Sequence, residues 1–189
     1  AIIRQLEKSG ADLIELGIPF SDPVADGPTI QASFTRALSA GACVSAAFDM
    51  LKTLREKSQI PVLTMVSYSI VHRIGPEKFI TRAVEAGADG AIIPDLPIEE
   101  ADRLLAEARA RDFCVVFLVA PTTPRERERE IAEKSSGFIY YVSVAGTTGA
   151  RDQLPEDLRQ HLDELHSLTD LPIAVGFGVS TPDQARSVA

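Results

Sequence analysis

Residues Ile14–Thr29 read I-E-L-G-I-P-F-S-D-P-V-A-D-G-P-T, and they decide the fold. The stretch begins inside a short apolar run, Asp12–Gly17, with the character of a buried strand except for one carboxylate, Glu15, in its middle. It leaves as a loop of about eleven residues stiffened by Pro19, Pro23 and Pro28. Strand-to-helix loops usually run about 2–6 residues, and longer ones tend to carry function. This loop holds Asp22 and Asp26 and no basic residue. A carboxylate within a strand, followed by a rigid acidic loop, contributes little stability. It can hold an acid and a base around a substrate.

Outward from this stretch the chain alternates. Apolar runs predict strands over Asp12–Gly17, Pro61–Val66, Ala88–Pro94, Phe113–Val119, Gly137–Ser143 and Leu171–Gly176. Between them, helical spacing of apolar residues predicts helices over Ala1–Lys8, Thr29–Ala40, Ser45–Lys57, Glu77–Ala86, Ile98–Arg111 and Pro155–Leu168. Thr123 and Pro124 open another helix, and Thr181-Pro182 the last. Near-continuous apolar strands imply burial on both faces, hence a parallel sheet covered by helices. Ser9-Gly10-Ala11-Asp12 and Ala86-Gly87-Ala88-Asp89 form a faint repeat, each linking a helix end to a strand. An open doubly wound sheet should carry a glycine-rich dinucleotide turn or a P-loop after its first strand, and neither motif is present. The expected fold is therefore α/β, a TIM (β/α)8 barrel represented by roughly six of its eight βα units in one domain, residues 1–189. A first helix without its strand and a last helix without its successor mark the two missing edges.

Composition narrows the function. The 189 residues carry a formal charge of −8, and the clustered Arg125, Arg127 and Arg129 alternate with glutamates. That is a solvated helix face rather than a phosphate-binding stripe, so nucleic acid is excluded as a partner. Cys43 and Cys114 make no disulfide framework; Cys114 is expected as a buried thiol, and a reducing cytoplasm fits. No apolar run reaches the ~18 residues of a membrane span. His72, His161 and His166 lack ligand spacing, so no metal is expected.

Three places stand out as candidate chemistry. Glu15 with Asp26 is the first; the alternatives are a polar core residue for Glu15 and a turn residue for Asp26. The second is Val144–Gln153, where Gly146 and Gly149 flank Thr147 and Thr148 as hinges of a lid, or simply of a surface loop. Tyr140 lies in the strand before it. The third is Gly176-Phe177-Gly178, before the helix opened by Thr181-Pro182, where free N–H groups can receive a phosphate or merely close a tight turn.

The run E-L-G-I-P-F-S-D-P-V-A-D-G-P-T-I-Q closely resembles the signature of the tryptophan synthase alpha chain family. Further matches follow in order: P-D-L-P at Pro94–Pro97, A-P-T-T-P from Ala120, the Tyr140–Gly149 run, and G-F-G-V-S at Gly176–Ser180. The likeness covers the whole chain. It implies a barrel that cleaves indole-3-glycerol phosphate to indole and glyceraldehyde 3-phosphate by a retro-aldol reaction. The partner implied is a beta chain carrying pyridoxal phosphate, in an alpha-beta-beta-alpha assembly, with no cofactor in this chain. On this resemblance Glu15 matches the catalytic glutamate that handles the proton at indole C3, and Asp26 the catalytic aspartate that holds the indole N–H. Tyr140 matches a site tyrosine and Thr148 the lid threonine; Gly149, Gly176, Phe177 and Gly178 match parts of the phosphate cradle. Glu15, within an apolar strand, should have a raised pKa, and Asp26, in a polar loop, should stay ionised.

The chain departs from the family pattern where a Tyr-Tyr-Asn stretch is replaced by Ser67-Tyr68-Ser69. The first strand and the eighth, with its Gly-Ser phosphate turn, have no counterpart. Exposed parallel edges are normally avoided, so the 189-residue piece by itself is expected to be unstable or inactive. Two other functions compete: a catalytically silent subunit that activates the beta chain, and another sugar-phosphate-binding barrel such as an epimerase. Retention of both carboxylates counts against the first, and the lack of strand-end histidines against the second.

Overall fold

Short apolar runs with β-branched residues pair side by side, and amphipathic helices return the chain between them. The structure, a computed structural model, describes residues 2–23, 26–142, 158–176, 181–183 and 186. It divides into two compact units, Ala1–Pro23 with Ser33–Val115, and Val24–Ala32 with Val116–Ala189.

The first unit holds α1 (Ile2–Lys8), β1 (Ile14–Gly17), the later turns of α2 (Pro28–Ser39), α3 (Val44–Arg55) and β2 (Val62–Met65). It continues through α4 (Tyr68–Ile74), α5 (Pro76–Ala86), β3 (Gly90–Ile92), a 3-10 turn at Ile98–Glu100, α6 (Asp102–Arg109) and β4 (Cys114–Val116). The sheet order is β1-β2-β3-β4. Its first two ladders are parallel, with Glu15 opposite Leu63 and Leu63 opposite Gly90. α5 shows why such helices form. Pro76 presets the first turn, Phe79, Ile80, Ala83 and Ala86 fall on one buried face, and Gly87 at φ +89° closes the helix with its N–H on the Ala83 and Val84 carbonyls. Phe48, Leu51 and Leu54 of α3 and Leu104, Leu105 and Ala108 of α6 complete this core.

In the second unit, β5 (Leu118–Val119), β6 (Ile139–Val142) and β7 (Ile173–Gly176) form a parallel sheet in that order, with α7 (Arg125–Lys134) and α8 (Leu158–His166). Phe117, Ile131, Ile139, Tyr141 and Leu165 are its large buried side chains.

The alternation expected from sequence is present, with five local differences. The run Phe113–Val119 is not one strand: it breaks at Phe117, with β4 beside β3 and β5 beside β6. α4 had no counterpart in the expected helices. Thr123 does not cap α7; Pro124 occupies the cap position, and Thr123 Oγ1 instead accepts the Ala120 N–H at 2.9 Å, closing the turn. Cys114 is half-buried rather than buried. Burial on both faces holds for β2 and β3 but not for β1 or β6, whose exposure alternates along the strand, nor for β7, which has no fully buried residue. A side chain on an uncovered sheet face stays in water however apolar its neighbours in sequence are. No single described helix is long and apolar enough to cross a membrane.

Candidate active site

Glu15 sits in the middle of β1, on the face opposite the buried Ile14. Its neighbour across the ladder is Leu63 of β2, the only strand paired with β1 among the described residues. The expectation of a buried carboxylate is not met within residues 1–189: Glu15 is exposed. Protein atoms nonetheless crowd part of the carboxylate and strip hydration from it. That desolvation raises its pKa above the ordinary 4.5, in the direction expected of a proton carrier near neutrality.

Asp26 is half-buried in the loop before α2. Its carbonyl accepts the side-chain amide of Gln31 at 2.8 Å, which ties the loop to the first turn of the helix. Neighbouring Gly27 is buried, and its carbonyl accepts the Gln31 N–H at 3.0 Å.

Tyr140 and Gly176 are brought together. In the β6–β7 ladder Tyr140 stands opposite Ala174 and Val142 opposite Gly176, and the Tyr140 ring leans along the strands over Gly176. A Cβ placed on Gly176 would stand 2.9 Å from the Tyr140 hydroxyl and 3.0 Å from Cζ. Glycine here leaves room for the ring; this is a packing need that spacing alone did not reveal. Phe138 packs near the ring, with centroids 6.4 Å apart. The other candidates, Thr148, Gly149, Phe177 and Gly178, lie outside the described residues.

Among the described residues no group of three His, Cys, Asp or Glu side chains could hold a metal ion. His161 Nδ1 lies 3.1 Å from the Tyr141 hydroxyl, and His72 meets the Tyr68 ring edge-on. Sequence reading missed the role of Asp95, in the P-D-L-P stretch. Its carboxylate accepts from the Ser67 hydroxyl at 2.7 Å and the Tyr68 N–H at 2.6 Å, joining two stretches that were singled out separately.

Solved structures resemble this fold closely. One described as the structural basis of mutual activation of the tryptophan synthase a2b2 complex from Pyrococcus furiosus matches with a TM-score of 0.90 at 40% identity, covering 98% of this chain and 75% of that one. The chain is thus an α/β protein of the TIM (β/α)8-barrel class, carrying roughly six of the eight βα units. A family model for the tryptophan synthase alpha chain matches residues 1–189. The tryptophan synthase alpha chain of Gloeobacter violaceus is 47% identical over 184 residues, which span 97% of this chain and 67% of that relative. That of Geotalea daltonii is 48% identical over 189 residues, spanning 100% and 72%. The chain belongs to the tryptophan synthase alpha chain family.

Proposed function

We propose that this chain performs the alpha reaction of tryptophan synthase, the retro-aldol cleavage of indole-3-glycerol phosphate, with Glu15 and Asp26 as its catalytic carboxylates. A proton delivered by Glu15 to indole C3 makes an indolenine cation. The Glu15 carboxylate left by that transfer takes the proton of the adjacent glycerol hydroxyl, and that carbon becomes the aldehyde of glyceraldehyde 3-phosphate. The C3–glycerol bond breaks, and its electron pair restores the aromatic ring. Asp26 accepts the indole N–H and opposes the positive charge that develops on the ring. Tyr140 lines the site. Thr148 and Gly149 belong to its lid, and Gly149, Gly176, Phe177 and Gly178 cradle the phosphate, with Gly176 leaving the space that the Tyr140 ring occupies.

The observation that supports the acid role is the desolvated carboxylate of Glu15 on β1, its pKa displaced upward. A positioned acid or base contributes about 10²–10⁴ in rate. The same reading gives residues 1–189 to one TIM-barrel domain and places the protein in the cytoplasm. It makes the beta chain the partner and pyridoxal phosphate a cofactor of that partner. The solved relative from Pyrococcus furiosus is itself described as an a2b2 complex.

Indole release from indole-3-glycerol phosphate, measured on the complete protein with and without beta chain, tests the reading. Glu15→Gln and Asp26→Asn should each lower turnover by about a hundredfold or more. Turnover left intact by both substitutions refutes the assignment.

A further inference from the structure

The ends of β1, β2 and β3 are held together by single backbone bonds. The Ile18 N–H donates to the Met65 carbonyl at 2.8 Å, and the Val66 N–H to the Ile92 carbonyl at 3.0 Å. Directly beyond these rungs lies Asp95, whose two carboxylate oxygens take separate donors: Oδ2 the Ser67 hydroxyl at 2.7 Å, and Oδ1 the Tyr68 N–H at 2.6 Å. Hydrogen bonds to an ionised acceptor are shorter and about twice as strong as neutral ones. The Ser67 oxygen also accepts the Ser69 N–H at 3.3 Å as the cap of α4, so one hydroxyl serves helix and carboxylate together. Among the described residues no cation is paired with Asp95; both its partners are neutral donors of the β2–α4 turn.

We propose that Asp95 is a positioning residue for the reaction proposed above. Its carboxylate locks the β2–α4 turn to the turn after β3, and so holds the end of the β1–β2–β3 ladder on which Glu15 stands. The inference rests on that reading of Glu15. Its physical content is that Ser67, Tyr68 and Asp95 act as one unit, across 28 residues of chain, at the end of the ladder that carries Glu15. A misplacement of about 1 Å in a reacting group can cost about 10²-fold in rate, so partial loosening should be visible in kcat.

The test is steady-state cleavage of indole-3-glycerol phosphate by the complete protein with beta chain. Asp95→Ala should lower kcat about tenfold with KM within about twofold, and Ser67→Ala should lower kcat about threefold. Ser67→Thr, which keeps the hydroxyl, should retain the unsubstituted rate. The double variant should be no slower than Asp95→Ala alone, because residues of one network do not contribute independently. Multiplying effects, a change in KM alone, or kcat untouched in Asp95→Ala each overturn the inference. Should Asp95→Ala fail to fold, the Ser67 pair decides: loss in Ala with retention in Thr supports the lock, and equal rates overturn it. If the unsubstituted protein releases no indole, it is the function that fails. Amide exchange at Tyr68 then decides the lock, at least about tenfold faster in Asp95→Ala if it stands and unchanged if it does not.

Discussion

Within residues 1–189, two turns of nearly the same sequence make different contacts. Ser9-Gly10-Ala11-Asp12 leads from α1 into β1, and Ala86-Gly87-Ala88-Asp89 leads from α5 towards β3. Both glycines take positive φ, +95° at Gly10 and +89° at Gly87. Beyond that the likeness ends. Asp89 Oδ2 accepts the Val62 N–H at 2.8 Å and pairs with Arg55 at 2.6 Å. Arg55 also donates to the Gly87 carbonyl at 2.7 Å and the Ile60 carbonyl at 2.6 Å. Asp12 is exposed, and nothing lies within 4 Å of a Cβ built on Gly10. A local turn signal therefore fixes backbone shape but not the load the turn bears; the load comes from the last turn of α3, a distant helix that supplies Arg55.

The largest effect should follow from removing that hub. Arg55→Ala leaves the Gly87 and Ile60 carbonyls, in the turns before β3 and β2, without their charged donor and should destabilise the first unit by about 2–4 kcal/mol in denaturant unfolding. The carbonyl bonds, rather than the ion pair, carry most of this, since the Asp89 side chain is 53% exposed and exposed pairs contribute little. A loss no greater than that of Asp89→Ala, about 1–2 kcal/mol, would put the weight on the acid instead.

Next in size is the contrast between the glycines. Ala at either position incurs the left-handed penalty of about 1–2 kcal/mol. At Gly87 the new Cβ would also stand 2.5 Å from Arg55 Cγ and push the hub apart. Gly87→Ala should therefore cost about 1–2 kcal/mol more than Gly10→Ala, and equal losses would show that Arg55 gives way freely. Asp12→Ala within residues 1–189, where Asp12 is exposed, should stay within about 0.5 kcal/mol of the parent.

Much of this architecture was legible. Glycines 10, 41 and 87 mark helix ends because only they reach positive φ cheaply, and the runs around Ile14, Val62 and Ile139 read as strands. The break at Phe117 was not legible. Val116, Phe117 and Val119 are all buried, so hydrophobicity is continuous across a change in which strand accepts the hydrogen bonds. α4 was hidden because Ile70, Val71 and Ile74 are poor helix formers, and its start is secured by Asp95 from 28 residues away. Of the site, residue types were readable and surroundings were not. Nothing local to Glu15 states what covers its face of β1, and nothing in G-F-G states that Tyr140 lies over the first glycine.

Glu15 gives the smallest stability effect and extends the comparison along β1, three residues past Asp12. Its carboxylate is crowded without a stabilising partner, so its native pKa lies above the unfolded value. The native state then holds the proton more tightly than the unfolded chain. Stability is greatest below the ordinary carboxylate range and falls as pH rises through the raised pKa, where ionisation is penalised in the native state alone. Glu15→Gln never ionises, so at neutral pH it should be slightly more stable than the parent, with the difference vanishing in acid. The same substitution should lower indole release by about a hundredfold or more. A site that loses activity while gaining stability is one where function keeps a titratable carboxyl in a place where folding alone favours a side chain that never ionises. Urea unfolding of both forms across pH 4–8 checks the sign, and a parent more stable than Glu15→Gln at neutrality would mean that the carboxylate has a partner after all.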